Sequence, residues 1–171
     1  MTSKRQSRGV QLYTAAERRR RDTSRWTLVQ GVLAPLQFLA FFVSLVLVLH
    51  YLESGRGFAA ATDSVLVKTA LLYTIMVTGS LWERDVFGKY LFAAPFFWED
   101  AVSMLVIALH TAYVAGLLLH WLSPRPLMLL ALAAYGSYVV NAAQFLVKFR
   151  AARLQGAQPG GAGALATGVL E

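Results

Sequence analysis

The chain has 171 residues, of which 57% are hydrophobic and only 15% charged, too apolar for an ordinary soluble domain of this length and expected of a membrane protein. It contains no cysteine, which excludes disulfides, thiolate nucleophiles and cysteine-ligated metal centres. The net charge of +7 is concentrated at the start: eight of sixteen basic residues, Lys4, Arg5, Arg8, Arg18, Arg19, Arg20, Arg21 and Arg25, precede the first apolar run. That placement suits a cytoplasmic arm against anionic lipid, and no nucleic-acid partner is expected.

Residues 1–27 form this basic arm, with no small-residue cleavage site after it, so it is expected to stay attached. Four apolar stretches follow, each near the length that spans hydrocarbon: Leu28–Leu52, Ser64–Trp82, Ala101–Leu122 and Leu127–Phe149. The links ESGRGFAAATD and SPRP are short, which predicts antiparallel neighbours, and the prolines of SPRP should not continue a helix. The link from Glu83 to Trp98 is aromatic but too short to span, and reads as an interfacial segment or a short surface helix. The expected fold is therefore an all-α, antiparallel four-helix membrane bundle over residues 28–149. A Gly/Ala-rich tail, 150–171, lacks a helical pattern and is expected to be disordered and cytoplasmic.

Thirteen of the lysines and arginines flank the arm, the middle link and the tail, against Arg56 and Arg125 in the alternate links, so both termini are expected in the cytoplasm. On the first span Gln30, Gln37 and Ser44 recur every seven residues and share a face. On the second, Lys68 reads as a side chain that snorkels to the non-cytoplasmic interface. On the third, Glu99, Ser103 and His110 lie on nearly one face; a histidine at that depth is as readily a neutral packed side chain as a ligand. On the fourth, Ser137, Asn141, Gln144 and Lys148 form a polar stripe.

Glu99 and Asp100 begin the third span. Acids there meet the positive end of a helix dipole, which explains them as caps. Their aromatic neighbours Phe97 and Trp98 equally suit a carboxyl that retains a proton for general-acid chemistry. No Walker loop, dinucleotide glycine pattern, GxSxG or HExxH occurs, so the residues alone give a membrane bundle with a polar cavity toward the cytoplasm and no named substrate.

The strings LYTAAERRRRD, WTLVQGVLAPLQFL, VKTALLYTIMVTGSLWE, YLFAAPFFWEDAVSMLVIALHTAYV and AAYGSYVVNAAQFLVKFR resemble the 3-vinyl bacteriochlorophyllide hydratase family of phototrophic bacteria, over Leu12 to Leu154. The resemblance implies hydration of the vinyl group of a chlorophyllide or bacteriochlorophyllide to 1-hydroxyethyl, in a bacterial inner or intracytoplasmic membrane. It implies no cofactor, since the magnesium belongs to the substrate, and it carries over no catalytic residues. For that reaction we expect Glu99 as proton donor, with Asp100 or Glu83 orienting water. Asn141, Gln144 and Gln37 would position water or substrate, and the macrocycle would lie among Phe92, Phe96, Phe97 and Trp98. Arg84 or Lys89 would hold its carboxylate, and His110 could ligate its magnesium if the ring descends that far. Membrane lipid, a second copy of the chain and other pigment-synthesis enzymes are the remaining expected partners. The competing class is a non-catalytic pigment-binding or assembly protein; a bis-histidine haem protein is disfavoured because His110 stands alone near mid-membrane, and a small-anion transporter because four helices would need to oligomerise.

Overall fold

The computed structural model describes residues 12–156, with side chains to Arg150; the first eleven residues and most of the expected tail lie outside the described residues. Five helices occur among them: α1 (Ala15–Thr23), α2 (Arg25–Ser54), α3 (Phe58–Phe87), α4 (Phe97–Leu118) and α5 (Pro124–Gly156). The last four are long and apolar enough to cross a membrane, which makes the chain a multi-pass membrane protein.

Three spans outrun their hydropathic stretches, while α4 keeps the expected length but is shifted toward the N-terminus, and caps set several of the helix ends. Thr14 and Glu17 form a capping box at the start of α1, and Ser24 caps α2 through Trp26 N–H at 3.3 Å. Glycines in the left-handed region end α2 at Gly55 and α3 at Gly88. Pro124 and Pro126 do not interrupt the last helix; they stand in its first turn, where a missing N–H costs nothing. Between α3 and α4 only residues 88–96 are non-helical, so the middle link holds a turn rather than a short surface helix.

As α2 ascends from Ser24 through Thr27, Gln30 and Gln37 to Ser44, its partners descend along α3 from Asp85 through Trp82, Thr78 and Lys68 to Ser64. The two helices therefore run in opposite senses, joined by a tight three-residue turn. The heptad-spaced Gln30, Gln37 and Ser44 all face α3, so each finds a hydrogen-bonding partner away from lipid. α4 and α5 pair in the same way, through Glu99 with Lys148, Ser103 with Asn141 and His110 with Tyr135. The two hairpins meet in a core of Phe41, Val48, Val65, Leu72, Val106, Tyr113, Met128 and Tyr135.

α1 docks on the end of the bundle that carries the α3–α4 link. Tyr13 is buried, stacks on Phe87 at 5.7 Å and touches Phe96, while Ser24 donates to Asp85 at 2.7 Å. Burial pushes the Tyr13 phenol up to about 12, against the opposing pull of Arg21, so it stays uncharged.

Candidate active site

Three carboxyl groups converge where α3 ends and α4 begins. Glu83 sits one turn before the end of α3, and Glu99 and Asp100 lie in the first turn of α4; all three are buried. The helix-dipole expectation holds, since both acids lie in the first turn of α4, but neither is the N-cap, which is Phe96 and makes no side-chain cap. Instead the acids turn toward the link and toward α5.

Asp100 accepts the Phe92 N–H at 2.7 Å and Glu83 accepts the neighbouring Ala93 N–H at 3.1 Å. Two successive amides thus grip two carboxyls from different helices. Phe92 reaches this geometry with φ 58°, in a region that costs a residue with a Cβ about 1–2 kcal/mol. Held by successive amides of one link, the Glu83 and Asp100 carboxyls are brought together as neighbours.

Glu99 has a different environment. The Lys148 ammonium stands 2.5 Å from its carboxylate and also donates to the Pro95 carbonyl. The same nitrogen lies 5.0 Å from the centre of the Phe96 ring. Asn141 donates to the Glu99 carbonyl at 2.8 Å and accepts from Ser103 at 3.3 Å. The polar stripe on α5 therefore does converge on Glu99, with Lys148 as its strongest member.

The remaining expected residues divide. Gln144 is half-buried beside this cluster's helix face, with its Oε1 enclosed and without a protein partner. Phe92, Phe97 and Trp98 form an outward-facing group, Trp98 being 71% exposed, with ring pairs at 5.6 and 5.5 Å. Phe96 does not join them: it is fully buried among Tyr13, Trp82, Phe87 and Phe145. Arg84 is exposed and covers the Tyr90 ring at 4.8 Å, and Lys89 is exposed nearby in the link.

His110 and Gln37 belong to another level of the bundle. His110 is ten residues beyond Asp100 on one helix, about 15 Å at the α-helical rise, and is fully enclosed. A vinyl group on a macrocycle's rim is much closer to the central metal than that. Magnesium on His110 and a vinyl group at Asp100 therefore exclude one another in this packing. Gln37 accepts from Lys68 at 3.1 Å. The snorkelling expectation for Lys68 is overturned: its side chain is fully buried and its nitrogen lies 3.7 Å from the centre of the Tyr138 ring. The helix begins at Phe58, so Lys68 lies ten residues in and about 15 Å from its start, too deep for the interface.

The structure thus defines an all-helical multi-pass membrane protein whose chemistry-bearing side chains are carboxyls buried at one end of the bundle. A family model described as 2-vinyl bacteriochlorophyllide hydratase matches residues 13–151, and the chain belongs to that family. It is 63% identical over 144 residues to the 2-vinyl bacteriochlorophyllide hydratase of Cereibacter sphaeroides, covering 84% of this chain and 89% of that protein. It is also 63% identical over 147 residues to the protein of the same name from Rhodobacter capsulatus, covering 85% of each. The name numbers the vinyl group 2 where the resemblance above numbers it 3; both describe adding water to a vinyl group of the pigment. No solved structure matches the chain.

Proposed function

We propose that the chain, a hydro-lyase of bacteriochlorophyll biosynthesis by its family, hydrates the vinyl group of a bacteriochlorophyllide at the carboxyl end of the bundle, with Glu83 and Asp100 as proton source. The observation that supports this reading is the convergence of these two buried carboxyls, from different helices, on the successive amides of Phe92 and Ala93. Hydration needs a proton on the terminal vinyl carbon, which leaves a cation on the inner carbon that the conjugated macrocycle delocalises. Water then attacks the inner carbon and gives up a proton. The net change is addition of one water, and the pair recovers the proton it lent.

Roles among the three acids are redistributed relative to the sequence expectation. Glu99, oriented by its pairing with Lys148, takes the proton from the attacking water. Asp100 follows Glu99 in the first turn of α4, which gives that proton a route back to the pair. Gln144, with an unused carbonyl oxygen, orients the water, and Asn141 fixes the α4 backbone at Glu99. The macrocycle lies against Phe92, Phe97 and Trp98, with its carboxylate toward Arg84 and Lys89. We read this end as facing the cytoplasm, in keeping with the distribution of basic residues.

The test is conversion by membranes in which this protein is the only addition. A bacteriochlorophyllide bearing the vinyl group should yield a product heavier by one water, carrying label from ¹⁸O-water. Full turnover by both Asp100→Asn and Glu83→Gln would remove the pair from the mechanism.

A further inference from the structure

Midway along the bundle all four spans contribute enclosed polar side chains: Gln37 and Ser44 from α2, Lys68 from α3, His110 from α4 and Tyr135 from α5. Tyr135 marks their common centre, since the Lys68 nitrogen and the His110 ring each lie 5.9 Å from its ring centre. Close-packed aromatic and aliphatic side chains surround them, leaving no slot for a macrocycle.

The hydrogen-bonding inventory is incomplete in a specific way. Lys68 has three donor hydrogens and gives one to Gln37 Oε1. Gln37 Nε2 has no protein partner. His110 Nδ1 lies 2.8 Å from the Val106 carbonyl, so it carries the hydrogen, and Nε2 is left as an enclosed acceptor with no partner. Spare donors on two helices and a spare acceptor on a third match water, which accepts from Lys68 or Gln37 and donates to His110. An anion would meet the bare lone pair of His110 and is disfavoured.

One further unpartnered side chain, Gln144, extends the pattern toward the carboxyls. Among the described residues of α2 to α5, the enclosed polar side-chain atoms without partners belong to Gln37, Thr62, His110, Tyr113 and Gln144. Thr62 and Tyr113 lie toward the opposite end of the bundle. Gln144 lies toward the carboxyls, on the face that carries Asn141 and Lys148. An enclosed polar group without a partner is costly, and lipid supplies none. Unused polar atoms thus occur at mid-bundle, on Gln37 and His110, and toward the end where the proposed reaction consumes water, on Gln144.

We propose that Lys68, Gln37 and His110 form a water-binding cage at mid-bundle that supplies the hydration reaction with its water by way of Asn141 and Gln144. The inference rests on the reading that water is added at the carboxyl end, but the presence of the cage can be tested without turnover. X-ray radiolytic footprinting of the purified protein generates hydroxyl radicals from bound water and modifies side chains beside it. Tyr135 and Tyr138, only 2% and 7% exposed, should be modified at rates comparable to an exposed tyrosine such as Tyr90. Modification should disappear in Gln37→Leu/His110→Phe, and that variant should lose turnover at least tenfold with pigment binding retained. His110→Gln, which keeps an acceptor, should restore most of both signals. Unmodified Tyr135 and Tyr138 in the wild-type protein would overturn the cage, whether or not the double variant folds. Labelling that disappears with no loss of turnover would overturn its supply role. Asp100→Asn separates the two readings, since it should lose turnover while keeping the footprint; full turnover in that variant would count against the carboxyl site and leave the footprint to decide the cage.

Discussion

Lys148 of α5 places its ammonium 2.5 Å from the buried Glu99 carboxylate of α4, and the same nitrogen reaches the Pro95 carbonyl in the link. One side chain thus ties the last helix both to the first turn of α4 and to the segment whose amides grip the other two acids. Lys148→Met strands a buried carboxylate, and breaking such a pair from one side costs about 3–5 kcal/mol. Thermal unfolding in detergent should show a large loss for Lys148→Met. Glu99→Gln/Lys148→Met should regain much of it, because the unpaired charge is gone. A double variant no more stable than the single one would mean that Lys148 acts through Pro95 alone.

The three acids should respond differently to neutralisation. Asp100→Asn and Glu83→Gln each remove an acid of the pair while leaving the acceptors for Phe92 and Ala93, and each should lower turnover by about 10²-fold or more. Pigment binding, measured by retention of its absorption on the purified protein, should be unchanged. Glu99→Gln should lose less, because it removes a proton acceptor that water can partly replace. Equal losses in all three would assign the acids one joint role.

Much of this arrangement was legible in the sequence, and the part that was not has a physical reason. Heptad spacing of Gln30, Gln37 and Ser44 fixes a common face whatever the neighbours do, and those side chains do share α3 as partner. The stripe on α5 was legible too, and two of its members, Asn141 and Lys148, do meet α4. Lys68 was misread because hydropathy starts its helix at Ser64, whereas the chain turns at Gly57 and Phe58 begins the helix. Periodicity also cannot say which of three neighbouring acids a lysine 49 residues away will choose. The Glu99 ion pair, and with it the division of roles among the acids, depends on how α5 is rotated against α4.

His110 makes a separate prediction about the pigment. Its ring is enclosed and about 15 Å along α4 from Asp100, so magnesium bound there would hold the vinyl group away from the acids. The absorption spectrum of protein-bound pigment should therefore be the same in His110→Ala as in the wild type. A shift in that spectrum would place the macrocycle in the bundle core and move the chemistry away from Glu83 and Asp100.

The buried amine gives the last prediction, in which two substitutions of one hydrogen bond have unequal effects. Lys68 donates to Gln37 at 3.1 Å and rests on the Tyr138 ring, and neither ion pair among the described residues includes it. Lys68→Met removes a buried cation and fills its volume with an apolar chain, and replacing buried charge in this way is often neutral or stabilising. Gln37→Leu leaves the cation and takes away the oxygen that accepts from it, at a cost of about 1–3 kcal/mol. Resistance to proteolysis in detergent should therefore fall clearly for Gln37→Leu and hold or rise for Lys68→Met. Combining the two should bring stability back toward that of Lys68→Met, because the amide's role is to serve the amine. If Lys68→Met proves the more damaging, the ammonium's contact with Tyr138 outweighs its desolvation, and the cation itself holds the two hairpins together.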